Sequence, residues 1–177
     1  MELFMDIFMA IKKIYWTIII KRQFRKLKKK YPVNYSVHLK IVHLSREGNC
    51  YRVKIPKALS TVKVHTTHAS INICLENHIN LSDVLDSLYH EYRHIMQYDL
   101  VDTQYILLWS RLAKINDKYY SISPIEIDAR IFAKTRGINL GREVFDDFGS
   151  IDDFQLHGSY ICYCLERSKY YTRKFNL

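Results

Sequence analysis

Residues 80–100 read NLSDVLDSLYHEYRHIMQYDL. Val84, Leu85, Leu88, Tyr89, Tyr92, Ile95 and Met96 recur at the spacing of an amphipathic helix and form its apolar face. Ser82 suits the N-cap, and Asp83 and Asp86 place negative charge where the peptide dipoles favour it. Within this helix stand His90-Glu91-Tyr92-Arg93-His94, an HExxH motif. At about 100° per residue, His90 and His94 lie roughly 40° apart and one turn above each other, so both imidazoles can reach one ion. Glu91 lies about 100° round from His90, close enough to hold an attacking water without binding the metal itself. The histidines share a polar side with Asp83, Ser87 and Gln97. The bland alternative is a pair of surface histidines on a solvated helix face.

Two imidazoles leave a tetrahedral zinc short of a ligand, because a catalytic site takes three protein ligands and keeps one position open. The third ligand is expected from a helix brought alongside. Residues 102–116 are helical in pattern and are followed by a polar connector. Residues 123–133 then read SPIEIDARIFA. Ser123 as N-cap, Pro124 at the first helical position and Gly137 beyond the end mark a helix of about 13 residues. It carries two candidate ligands, Glu126 and Asp128. Glu126 shares its face with Ala129 and Ala133, whose small side chains allow close approach. Asp128 is shorter and flanked by Ile131 and Phe132, which would hold a neighbouring helix away. Glu126 is therefore preferred and Asp128 is the alternative. Ser123-x-x-Glu126 also has the spacing of a capping box, a structural role that competes for the same carboxylate.

With these residues in place, the chain resembles the small gluzincin-type zinc metallopeptidases, most nearly the ImmA/IrrE-like peptidases. The likeness rests on His90-Glu91-Tyr92-Arg93-His94, on Glu126-Ile127-Asp128-Ala129 and on Phe132-Ala133, and covers about residues 70–136. It implies one zinc per chain on His90, His94 and Glu126, with Glu91 as general base in peptide-bond hydrolysis. The residues after His94 are Ile95, Met96, Gln97 and Tyr98, so the chain has no metzincin extension. A peptidase also needs an oxyanion donor, for which Tyr119, Tyr120, His157 and Tyr160 are candidates. A protein or peptide substrate could add a strand to a sheet edge near residues 71–75.

Before the HExxH helix the pattern changes to alternation. Val33, Tyr35, Val37, Leu39 and Ile41 alternate with polar residues, as do Tyr51, Val53 and Ile55, then Val62 and Val64, then Ile71, Ile73 and Leu75. Arg46-Glu47-Gly48-Asn49 supplies turn chemistry between the first two. Three or four antiparallel strands are expected. His38, His43, His65, His68 and His78 fall on or beside them without ligand spacing and read as exposed strand histidines. The expected class is α+β and zincin-like: a small antiparallel-rich sheet packed on the HExxH helix and a second, glutamate-bearing helix.

Residues 1–31 hold nine Lys/Arg against two acids, whereas the rest of the 177-residue chain holds 18 against 16. The basic charge is thus a property of one segment, and nucleic-acid binding by the body is not indicated. That segment reads as one long helix. Its apolar part, residues 3–20, is broken by Asp6, Lys12 and Lys13, which argues against a membrane span, and its positive charges follow the apolar stretch with no small-residue cleavage site, which argues against a secretory signal. Three roles compete for it: packing on the domain, lying on an anionic membrane surface, or binding nucleic acid or an acidic protein. The division expected is residues 1–31 as a basic helix and 32–177 as the metallopeptidase domain. The alternative function is a non-catalytic zinc-binding interaction protein recruited by that helix to membrane or nucleic acid. Four cysteines without a CxxC pair read as reduced thiols of a cytoplasmic protein, in keeping with a chain that is at most peripherally membrane-associated. Residues 159–173 look like an amphipathic helix.

Overall fold

The computed structural model describes residues 2–42, 53–54, 68–75, 80–115, 117–149 and 158–177. These residues are mostly helical around a small sheet. In chain order the elements are α1 (Glu2–Lys30), β1 (Ser36–Val42), β2 (Val53–Lys54), β3 (His68–Cys74), α2 (Leu81–Leu100), α3 (Thr103–Ile115), α4 (Asp117–Ile122), α5 (Pro124–Lys134), α6 (Glu143–Asp147) and α7 (Gly158–Phe175).

The sheet order is β1-β3-β2. The long pairing, β1 with β3, is parallel and sets Val37 against Ala69, Leu39 against Ile71 and Ile41 against Ile73. Among the described residues only the two-residue β2 pairs antiparallel, Val53 with Ile71 and Lys54 with Ser70. The expectation of an antiparallel-rich sheet is therefore corrected. Alternation reports which face of a strand is buried, not the direction of its neighbour. The residues between β1 and β3 also exceed the dozen or so that a parallel crossover needs. The strand expected at residues 62–65 lies outside the described residues. β3 is central, with Ile71 and Ile73 fully buried, so it is not the free edge on which a substrate strand was expected to add.

One face of the sheet meets α1 and α2. Trp16, Ile20, Phe24 and Leu27 of α1 join Val37, Ile71, Ile73, Val84, Leu88, Tyr92 and Ile95 in one core. Phe24 sets its ring edge-on to Tyr92 at 6.3 Å, and the Tyr92 hydroxyl donates to the Tyr31 carbonyl at 2.6 Å. The second half of α1 is thus part of this core. Leu27→Ala should cost about 2–5 kcal/mol of folding stability, read from denaturant unfolding, because the leucine is 2% exposed and its cavity has packed walls.

A second core is built by α3 to α7, with Tyr105, Trp109, Ile127, Ile131, Phe145 and Tyr171 at its centre. α5 serves both cores: Ile125, Ile127 and Ile131 face the second, while Phe132 reaches the first and packs against Tyr31 and Tyr89. The α2–α5 pair therefore forms the seam of the molecule. Gly137, at φ +103°, turns the chain after α5. Its carbonyl accepts from the Tyr31 hydroxyl. A Cβ there would stand 2.8 Å from the Tyr31 hydroxyl oxygen, which would have to shift, and the positive φ is what calls for glycine.

Asn80, not Ser82, caps α2. Its side chain accepts from the Asp83 amide at 3.0 Å while Asp83 accepts from the Asn80 amide at 3.3 Å, a reciprocal box that starts the helix earlier. Among the described residues no helix is long and apolar enough to cross a membrane.

Candidate metal centre

His90 and His94 project from consecutive turns of α2, and Glu126 comes from the first turn of α5. Ser123 accepts from the Glu126 amide at 3.2 Å, so the backbone of Glu126 is used for capping. Its carboxylate is left to turn toward α2. Glu126 Oε2 lies 3.3 Å from His90 Nε2, and Oε1 lies 3.2 Å from His94 Nε2. The two Nε2 atoms are 3.0 Å apart, with their rings nearly perpendicular. Only one half of the capping box is thus formed, which resolves the competition for this side chain.

Three atoms with lone pairs, from three residues, lie within 4.8 Å of one another. Acceptors facing acceptors repel unless a cation or a shared proton stands between them. Donors about 2.0–2.2 Å from a common ion at tetrahedral angles would be about 3.3–3.6 Å apart. The three distances here, 3.0–3.3 Å, reach only the lower bound of that range, so the groups stand slightly closer together than donors around an ion would. The group could hold a metal ion. Without one, the charges lean on each other. Burial disfavours the Glu126 carboxylate, yet the two histidines outweigh it and hold its pKa well below the usual range. Burial likewise disfavours a charged His94, but Glu126, Glu91 and Gln97 raise its pKa to about 9.

Asp128 is not held away from α2 by its apolar neighbours; it is 1% exposed and reaches the same helix by another route. Its two oxygens accept from Arg93 Nε at 2.7 Å and Nη2 at 2.9 Å, a bidentate pair between fully buried groups. Arg93 also donates to Asn139 Oδ1 at 2.8 Å and to the Gly141 carbonyl at 3.2 Å. Asp128 is therefore tied to Arg93, and Glu126 is the carboxylate that meets His90 and His94. The spacing of four between Arg93 and Gln97 places both on one stripe of α2.

Gln97 connects the two systems. Its amide nitrogen donates to Asp128 Oδ2 and to the Ile125 carbonyl, both at 2.8 Å. Since both partners are acceptors, the oxygen of the amide must face the other way, toward His94 Nδ1 at 2.9 Å. His94 then carries a proton on Nδ1, and in the neutral ring Nε2 presents its lone pair to Glu126 and His90. Gln97→Leu should weaken metal affinity about 10–100-fold with little change of secondary structure, measured by chelator competition.

Glu91 is buried on the same turn as His90, and its charge acts on both His94 and Tyr120. Of the four oxyanion candidates, Tyr120 lines the cleft. The side chains of Tyr119 and Tyr160, and all of His157, lie outside the described residues. Tyr120 is half exposed, yet partial burial of its hydroxyl, then the neighbouring carboxylates of Glu126 and Glu91, raise its pKa and keep it a proton donor. α4, which presents it, was expected only as a polar connector. The cleft, of about 540 Å³, opens over His90 and Glu126 and is bounded by Asp86, Tyr120, Arg130 and Lys134. His38 is exposed and pairs with Ser36 at 3.2 Å, away from this site. His43, His65 and His78 and the side chain of His68 lie outside the described residues.

Compared with protein-family models, with curated proteins and with solved structures, the chain matches none.

Proposed function

We propose that the chain is a zinc-dependent metallopeptidase of the gluzincin type. The single observation that carries this reading is the convergence of His90, His94 and Glu126 from two helices, with Glu91 beside His90 in the chain and with His90 and Glu126 lining a cleft. Two imidazoles and one carboxylate suit zinc, and three ligands leave a coordination position for the reaction. The zincin-like arrangement and the likeness to ImmA/IrrE-like peptidases belong to the same proposal.

When bound, zinc supplies an activated water and a Lewis acid for the scissile carbonyl. Glu91 accepts the proton of the attacking water and returns it to the leaving amine. The protonated Tyr120 hydroxyl donates to the oxygen on which negative charge develops. Gln97, fixed by Asp128, keeps the His94 ring oriented, and Arg93 keeps Asp128 in place. A peptide enters the cleft between α2, α4 and α5, not along β3.

The test is hydrolysis of a mixed peptide library by the purified full-length chain with zinc, with a chelator, and with zinc restored. Cleavage that the chelator stops and zinc restores supports the proposal. A zinc-loaded chain that cleaves nothing would leave a metal clamp without chemistry, and the peptidase reading would fall.

A further inference from the structure

α1 carries a feature that the metal centre does not use. Its inward face, Trp16, Ile20, Phe24 and Leu27, is buried in the first core. Ile7, Ile11, Ile14, Tyr15 and Ile18 are 52–62% exposed. At about 100° per residue these five fall within one arc of roughly 100°, opposite Ile20. Arg22, Arg25, Lys26 and Lys29 continue the same arc and are exposed. The outward stripe is therefore apolar for about three turns and then basic for about two. Before Trp16 no described side chain of α1 is buried, so the apolar half extends past the core.

We infer that this stripe docks on an anionic lipid bilayer, with the isoleucines in the interfacial layer and the Arg/Lys block on lipid phosphates. Both halves are then satisfied by one occupant. A nucleic acid would match the basic half and leave five large apolar side chains in water. A second copy could use the four-three-four spacing of Ile7, Ile11, Ile14 and Ile18 as a helical seam. Pairing in parallel, however, would set one basic block against the other. An anionic bilayer matches the charge and covers the apolar area, and it does not require α1 to span the membrane. The inference is independent of the peptidase reading.

Flotation of the full-length chain with vesicles tests it. The chain should float with phosphatidylcholine vesicles that contain about one third phosphatidylglycerol, much less with phosphatidylcholine alone, and less as salt is raised. Ile11→Asp with Ile14→Asp should lower the partition coefficient more than about ten-fold. Arg25→Ala with Lys29→Ala should lower it roughly twenty- to thirty-fold, at about five-fold per basic residue. All four positions are exposed, and an unchanged thermal melt will show that the variants fold. Equal flotation with neutral vesicles, flotation unaffected by the isoleucine substitutions, or no flotation at all would overturn the inference. So would a concentration-dependent dimer, or capture by duplex DNA, in a chain that ignores vesicles.

Discussion

Glu91→Gln is expected to keep one zinc per chain and to lower the rate of peptide hydrolysis by about 10²–10⁴-fold, the range that a positioned general base contributes. The substitution preserves size and leaves His90, His94 and Glu126 untouched, so metal content should not fall. An amide has no basic site for the proton of the attacking water. It also removes the negative charge that acts on His94 and Tyr120. Metal content and kcat must be measured on the same preparation. Retained cleavage by a zinc-loaded Gln variant would exclude Glu91 as the base. Loss of zinc together with activity would mean that Glu91 belongs to the ligand set.

The second large effect concerns stability. Asp128→Ala should destabilise the fold by about 3–5 kcal/mol, because it strands the fully buried Arg93 guanidinium without its carboxylate. Arg93→Leu should cost a comparable amount by leaving the carboxylate unpaired. Replacing both, Arg93→Met with Asp128→Leu, should recover most of the loss, since paired buried charges are often no better than apolar groups of similar size. The double variant is still expected to bind metal more weakly, because Gln97 then loses the acceptor that fixes its orientation toward His94. Urea unfolding of the three variants decides it. A double variant less stable than either single variant would show that the two residues do not act as a pair.

The sequence made the two helices of the site legible for local reasons. Four-residue spacing puts His90 and His94 on one side of α2 whatever surrounds it. Ser123-Pro124 starts α5 by chemistry that needs no tertiary contact. Glu126, not Asp128, groups with His90 and His94, but the apolar neighbours of Asp128 are not the reason. Phe132 does not fend off α2; it packs beside Tyr89, and the Arg93 guanidinium lies over its ring at 5.4 Å. The Arg93–Asp128 pairing is non-local, across 35 residues, and no periodicity announces it.

The same holds for the sheet. The pairing of β1 with β3 is a choice between partners of equal hydrophobic pattern, and the turn at residues 46–49 pointed to a neighbour that the β1–β3 ladder does not use. α4 was missed because six residues are too few for a periodic signal, although they deliver Tyr120 to the cleft. In α1 the apolar residues are spread around the helix, so only packing against the domain separates the buried set from the exposed one.

The zinc absorption edge of the loaded full-length chain tests the central claim most directly. The account predicts one zinc per chain with nitrogen and oxygen ligands only, the two imidazoles giving their outer-shell scattering. A spectrum containing sulfur ligands, or a chain that takes up no zinc, would contradict it.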